Sequence, residues 1–430
     1  MRAPRWSMMG VFLTSTLMAS LLLAGCDSSH PPFSSVALGG ADFDVSLVDN
    51  APLDSTAGAS PAGSTTLGGP LAGLDADQLA DFIEGKDEFE EEETIEQGLG
   101  PVFNEAACVT CHTAPTGGTN GRLETRFGRR DNGRFDPLAR FGGSLLQDHA
   151  IGAVNTEHGA FTYVPEVVPR AANVKALRLT TPLFGLGLVD AVSDAALIAL
   201  ARYQARNWPG TRGTAHMVTD AGGMVRVGRF GWKAQVATLH TFSGDAYLNE
   251  MGITSPDFPN ENAPQGNVDA LAFNPMPELN DDGEGIEAFT NFMTLIGPPP
   301  RGARTRSVEA GSTVFKKTGC ANCHNPTLIT GDSPVLAIAH KVFQPYSDFL
   351  LHDMGPLGDG IAQGQAGGRM MRTAPLWGLS ARPLFMHDGR AKTIEAAILA
   401  HAGQGTDARS RYLRLGSNDR FTLRQFLKSL

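Results

Sequence analysis

The sequence has 430 residues, a formal net charge of −10, 42% hydrophobic and only 7% aromatic residues, and is loop-rich, with 50 Gly and 27 Pro. By the prior of about 150 residues per domain it fits two or three domains, and at this length a core forms without disulfide staples. The apolar fraction excludes disorder throughout, and the acidity excludes the basic-protein route to nucleic acid.

Residues 1–25 carry only two charges, Arg2 and Arg5, followed by an apolar run over 8–23 and then Leu23-Ala24-Gly25-Cys26. A charged start, an apolar stretch and small residues before a cleavage point make an export signal. A Cys directly after Leu-Ala-Gly resembles a bacterial lipoprotein box, which makes Cys26 the lipidated residue. No later segment reaches the roughly 18 apolar residues that span a bilayer. The expectation is a lipoprotein facing the periplasm and touching its membrane only through the anchor.

Residues 26–97 read as a flexible acidic tether: a Gly, Ser, Ala, Pro and Asp mixture to about residue 80, then an acidic run around Glu90-Glu91-Glu92-Glu93. This segment carries a net −15, against +2 for the signal and +3 for residues 98–430. The acidity therefore belongs to the tether, and the remaining body is slightly basic.

Beyond the tether two segments share a layout, 98–299 and 300–430. Each has a Gly-flanked entry, a Cys-x-x-Cys-His, a long irregular stretch and a closing amphipathic helix. In the first, Ile286, Phe289, Met293 and Ile296 step at helical spacing before Pro298-Pro299-Pro300. In the second, Leu423, Phe426, Leu427 and Leu430 occupy one helix face. Residues 278–284 mimic the start of a calcium loop, but its twelfth position is Phe289 where a bidentate Glu belongs. Calcium is left without support.

Cys108-Val109-Thr110-Cys111-His112 and Cys320-Ala321-Asn322-Cys323-His324 both read as c-type haem attachment sites. Two thiols one helical turn apart each form a thioether with a haem vinyl group, and the next residue offers a neutral imidazole to the iron. A zinc ribbon places its pairs about 15–20 residues apart, whereas 208 residues separate Cys111 from Cys320, and zinc leaves both His unexplained. A thioredoxin-like dithiol lacks its βαβ context here. Two covalently bound haems then account for every cysteine except Cys26. Sequence alone leaves His149, His158, His216 and His240 near the first haem, and His340, His352, His387 and His401 near the second, equal as further ligands.

Arg372-Thr-Ala-Pro-Leu-Trp followed by Phe385-Met386-His387-Asp388-Gly389-Arg390 resembles the second-domain signature of bacterial di-haem cytochrome c peroxidases and of the methylamine-utilisation di-haem enzyme. Gly98-Leu-Gly-Pro-Val-Phe-Asn, Gly228-Arg-Phe-Gly-Trp-Lys-Ala, Met251-Gly-Ile-Thr-Ser-Pro and Leu351-His-Asp-Met-Gly-Pro more closely resemble the thiol-oxidoreductase-like family called di-haem oxidoreductase, putative peroxidase. The resemblance runs over about 98–430. It implies a mainly α fold of two fused cytochrome c-like domains, 98–299 around a reactive haem and 300–430 around an electron-transfer haem.

The resemblance also implies site residues. The relatives take the second-haem distal ligand from a Met fourteen residues after the His of His-Asp-Gly, and fourteen after His387 stands His401; Met354, Met386 and Met370 are its rivals. Trp232 matches a Trp that lies between the haems. Glu250, in Glu250-Met251-Gly252, matches a Glu of the peroxide pocket, where a desolvated carboxyl moves a proton between oxygens. His240 stands about where the relatives have a polar pocket residue. The implied activity is peroxide reduction at the first haem (Cys108, Cys111, His112), with electrons relayed by the second (Cys320, Cys323, His324, His401) from a periplasmic donor. The alternatives are a non-enzymatic electron-transfer cytochrome and an oxidant of a partner protein.

Overall fold

The computed structural model describes residues 66–113 and 115–430, and the signal segment, Cys26 and the tether up to residue 65 lie outside the described residues. Among the described residues no helix is long and apolar enough to cross a membrane.

The end of the expected tether is part of the folded body. Helix α1 (Ala76–Glu90) begins at a capping box, in which the Asp75 side chain accepts from the Gln78 N–H at 2.9 Å while Gln78 accepts from the Asp75 N–H at 3.2 Å. Its acidic residues face outward, and Phe82, Gly85 and Phe89 form the buried stripe. Phe82 and Phe89 pack on Phe292, with ring centres 5.5 and 5.0 Å apart. A side chain at Gly85 would run into the Ala288 carbonyl oxygen, so only glycine lets the two helices approach this closely. Each buried Phe contributes roughly 1.5–3 kcal/mol, which outweighs the charged character of the segment.

After α1 the chain enters a single turn, α2 (Cys108–Cys111), with His112 as its C-cap. Next comes an antiparallel three-stranded sheet, β1 (Leu123–Asp131), β2 (Arg134–Asp136) and β3 (Val174–Leu179), with β1 in the centre. In the β1–β3 register Glu124 lies opposite Arg178 and Arg126 opposite Ala176. Because side chains alternate along a strand, Glu124, Arg126 and Arg178 share one face. Helix α3 (Asp194–Asn207) follows, and two-residue to four-residue strand pairs punctuate the loops before α4 (Leu239–Met251). Gly252 ends α4 in a left-handed conformation (φ 70°) and lies against Gly100, with Gly100 N–H donating to the Met251 carbonyl at 3.0 Å. The loop over 100–105 thereby clamps the last turn of α4, and Asn104 N–H donates to the Glu250 carbonyl at 2.7 Å.

Helix α5 (Glu284–Leu295) covers the amphipathic pattern expected before the proline run. Helices α6 (Arg306–Lys317), α7 (Ile394–Ala400) and α8 (Ser417–Lys428) build the C-terminal part, with a short antiparallel pair, β4 (Leu351–Asp353) and β5 (Met370–Arg372), between α6 and α7. The expected mainly α class is too narrow, since the structure mixes about 36% helix with 16% strand. The strand content lies in stretches such as Val174-Lys-Ala-Leu-Arg-Leu, whose partner strand is some fifty positions away and whose pairing no local pattern announces. Nor does the core divide at Pro300. Phe343, Leu350 and Trp377 bury with Leu188, Phe289 and Phe292, while Phe315, Tyr346, Leu423 and Phe426 form a second cluster between α6 and α8.

Candidate functional site

Two cavities open beside the two Cys-x-x-Cys-His turns, and Leu179, Thr180, Thr181 and Trp232 belong to the walls of both. The first encloses about 370 Å³ and the second about 210 Å³.

The first cavity has Cys108, Cys111 and His112 on one side. The two thiols project from one turn of α2, as i, i+3 spacing requires, and burial pushes both up to about 12, so they are neutral. Burial pushes the His112 imidazole down to about 4, leaving it neutral and free to ligate a metal. Phe89 of α1 packs edge-on against His112 with ring centres 5.9 Å apart.

Other residues of the same wall are polar. Asn104 donates to Glu250 Oε2 at 2.7 Å, and the Arg126 guanidinium grips Glu124 with two hydrogen bonds of 2.9 and 3.2 Å. Burial first, then the Glu124 charge, push the Glu250 carboxyl up to about 8. Glu124 moves the opposite way: burial disfavours its charge, but the Arg126 charge and hydrogen bonds outweigh that and hold it below the usual carboxylate range. Asp245 from α4 and Arg178 from β3 complete this wall.

The second cavity is lined mainly by apolar side chains, with Cys320, Cys323 and His324 along one side. His401, at the C-terminal end of α7, faces His324 with ring centres 6.3 Å apart. His324 Nδ1 donates to the Tyr346 carbonyl at 3.1 Å and His401 Nδ1 to the Ala397 carbonyl at 2.8 Å. A carbonyl only accepts, so each ring keeps its lone pair on Nε2. Two metal–imidazole bonds of about 2.0–2.1 Å, added to the distance from each nitrogen to its ring centre, span roughly 6 Å. The separation therefore suits one metal ion held between the two rings. Burial pushes His324 down to about 4 and also lowers His401, so both are neutral ligands. Of the rivals, Met354 and Met386 lie in the same wall, and Met370 does not.

Arg372 and Arg382 also line this cavity. Their hydrogen bonds go to carbonyls only: Arg372 to Gly231 and Thr373, Arg382 to Pro375 and Trp377. Among the described residues neither has a carboxylate ion-pair partner, and the buried Nε of Arg382 has no hydrogen-bond partner. Burial lowers both to about 10, so both remain charged at neutral pH. Asp348 attracts Arg372 only at longer range and is itself paired with His352, so two buried cations without a direct anionic partner are costly unless an anion joins them. A porphyrin with two carboxylates, two vinyl groups and an iron fits the set: the guanidiniums for its carboxylates, Cys320 and Cys323 for its vinyls, His324 and His401 for its iron.

Trp232 lies at the seam, its Nε1 donating to the Leu179 carbonyl at 2.8 Å and its ring 6.2 Å from that of His387. His240 does not join either cavity. It stands on the exposed side of α4, 55% exposed and paired with Asp257 at 2.7 Å, so a role as pocket donor or displaceable ligand has no geometric basis. Glu124, Arg126, Arg382 and Phe89 are the residues the motifs did not reveal, and Asn104 and Arg372 stood inside quoted motifs without a role. For Glu124 and Arg126 the available signal was i, i+2 spacing of opposite charges in a strand-like run, which has meaning only once β3 is known to pair with β1.

A family model described as "Di-haem oxidoreductase, putative peroxidase" matches residues 170–430. This interval includes Trp232, Glu250, the second Cys pair and His401, and leaves the first Cys pair to its own motif and geometry. No curated protein matches the chain. The solved structures it resembles include hydrazine synthase of Kuenenia stuttgartiensis, with 15% identity and a TM-score of 0.38, covering 94% of this chain and 100% of that one. A MauG-like protein associated with microbial copper homeostasis has 15% identity and a TM-score of 0.37, covering 85% and 93%. The di-haem peroxidase BthA from Burkholderia thailandensis E264 has 14% identity and a TM-score of 0.29, covering 47% and 65%. With its family model spanning more than half of its length, the chain belongs to the di-haem oxidoreductase, putative peroxidase family.

Proposed function

We propose that this chain is a c-type di-haem peroxidase: it reduces hydrogen peroxide in the first cavity with electrons that enter through the second. The observation that carries this reading is the asymmetry of the two cavities. The first offers a single histidine and, elsewhere in its wall, a hydrogen-bonded carboxyl, whereas the second offers two histidines spaced for one metal. A bound haem, held by Cys108, Cys111 and His112 in the first cavity and by Cys320, Cys323, His324 and His401 in the second, would supply redox iron that binds small oxidants or passes electrons according to the ligands the chain gives it.

The chain's own groups supply the rest. Peroxide takes two protons and two electrons to give two waters. Glu250 exchanges a proton with the peroxide oxygens, and Asn104 holds its carboxyl in place through the 2.7 Å hydrogen bond. Cys108 and Cys111 anchor one haem and Cys320 and Cys323 the other, with Arg372 and Arg382 meeting carboxylates of the second. Trp232, common to both walls, stands where an electron crosses between them. The two electrons come from a periplasmic donor protein, and the export signal with Cys26 supports a lipid-anchored protein on that side of a bacterial membrane.

The test uses the full-length holoprotein. Oxidised and reduced samples are mixed with peroxide while the Soret band and turnover of a reduced donor are followed. Peroxide-dependent turnover with a spectral change at one haem is expected. If neither redox state reacts and both irons stay low-spin, the chain is an electron carrier and the peroxidase reading fails.

A further inference from the structure

Within the peroxidase reading, Glu250 alone leaves the proton chemistry incomplete. A group that takes a proton from one peroxide oxygen and returns one to the other needs a place to keep it. His240 faces solvent beside Asp257 and is not that place. Strand β1 brings a second carboxyl instead: Glu124 faces the same cavity, hydrogen-bonds with Glu250, and is gripped by Arg126 through two bonds.

Two carboxyls can hydrogen-bond to each other only if one carries a proton. Their partners decide which. Glu124 has a guanidinium on it, and Arg178 lies opposite it across the sheet, so it keeps its negative charge. Glu250 has the neutral amide of Asn104 as its other hydrogen-bonding partner and feels Arg126 only through space, since the guanidinium directs its hydrogen bonds to Glu124, so Glu250 carries the proton. Of the other titratable groups in this wall, Asp245 on α4 and the Cys111 thiol on α2 contribute no cation, and Arg122 is paired with Glu105 at 3.0 Å and Asp148 at 3.3 Å.

We propose that Glu124 is the positioning residue for Glu250: the two form a carboxyl pair sharing one proton, with Arg126 fixing the charge on Glu124 and the proton on Glu250. As peroxide reacts, the Glu250 carbonyl oxygen accepts the proton of the inner peroxide oxygen while the Glu250 hydroxyl hands its own to Glu124. The pair then returns one proton to the outer oxygen as the O–O bond breaks, and regains its starting state. The electrons for that cleavage are the two from the reduced donor, and the inner oxygen takes two protons from solvent to leave as the second water.

The experiment is infrared titration of the resting holoprotein, wild type against Glu250→Gln and Glu124→Gln, without peroxide. Wild type should show a protonated-carboxyl band that disappears as pH rises through about 8 and is missing from Glu250→Gln. In Glu124→Gln the band should disappear at least one pH unit lower, because Glu250 loses its like-charged neighbour and the charge of Arg126, no longer paired with Glu124, acts on Glu250 alone. Glu124→Asp, which keeps the charge but withdraws the carboxyl by one methylene, should move it the same way by less. The band of Glu261, which burial also pushes up to about 8, serves as an internal control that all three variants leave in place. A band unaffected by Glu250→Gln, or one whose titration stays put in both Glu124 variants, overturns the pair. The result stands apart from turnover: a pair that titrates as described in a protein inert to peroxide sinks the peroxidase reading and keeps the pair, and turnover without the band does the reverse.

Discussion

The two cavities start from the same five-residue motif and share a wall, yet they differ where chemistry is decided. The first has a carboxyl network in its wall with a single histidine; the second has His401, His352 and His387 besides His324, among mostly apolar side chains. On the proposed reading, the motif therefore fixes only how a haem is attached. What it does depends on what the rest of the fold brings to its wall: the end of α4 and strand β1 in one case, the end of α7 in the other. The two also differ in how charge is balanced. Arg126 has Glu124 within the first cavity, whereas among the described residues neither Arg372 nor Arg382 forms an ion pair with a carboxylate.

The most direct way to break this contrast is His401→Ala. If His401 closes the second iron, the variant converts one of two haems from low-spin to high-spin and opens it to carbon monoxide, visible in the Soret region. Unchanged second-haem spectra would leave one of Met354 or Met386 as the ligand. Glu250→Gln addresses the other cavity. Turnover should fall by about 10²–10⁴ while the spectra of both haems stay as in wild type. In wild type, where the protonated form of Glu250 is the active one, turnover should decline as pH rises through about 8.

A third test concerns the wall that α1 contributes to the first cavity alone. Phe89→Ala removes a buried ring packed on Phe289, Phe292 and His112. It should cost about 3–5 kcal/mol in unfolding free energy, measured by denaturant titration, and perturb the first haem's spectrum and not the second's. Arg382→Met is subtler and acts on the second. A cation beside a haem favours the reduced form, so its removal should lower that haem's midpoint potential and leave the first unchanged. An unmoved potential would mean that Arg382 does not meet the cofactor.

How much of this the sequence could show follows from where each residue's partners are. The two haem turns were legible because all their chemistry lies within five residues. Counting from His387 led to His401, which the fold places in the second wall facing His324. Glu250 and Trp232 came from short motifs, and both line the cavities. Glu124, Arg126, Arg372 and Arg382 were not legible as site residues: the first two need the distant pairing of β1 with β3, and the arginines are distinguished by a carboxylate that is missing. The acidic stretch before residue 97 misled because its charges outnumber its buried residues, although Phe82, Gly85 and Phe89 already stood at helical spacing.

His240 gives the smallest and sharpest test of that lesson. It was drawn toward the first cavity only by its position in a motif alignment, ten residues before Glu250. Ten residues of α-helix are about 15 Å along the axis and end about 80° short of three full turns, so His240 and Glu250 leave α4 on different faces as well as at opposite ends. Here α4 runs unbroken from Leu239 to Met251, and the His240 ring turns to Asp257 at the surface. A surface ion pair of this exposure contributes about 0–1 kcal/mol. His240→Ala should therefore leave the unfolding free energy within about 1 kcal/mol, and turnover, both haem spectra and the pH profile as in wild type. Lost turnover with an unchanged fold would show that α4 rearranges when the cavity is filled, and that the alignment located this residue better than its geometry does.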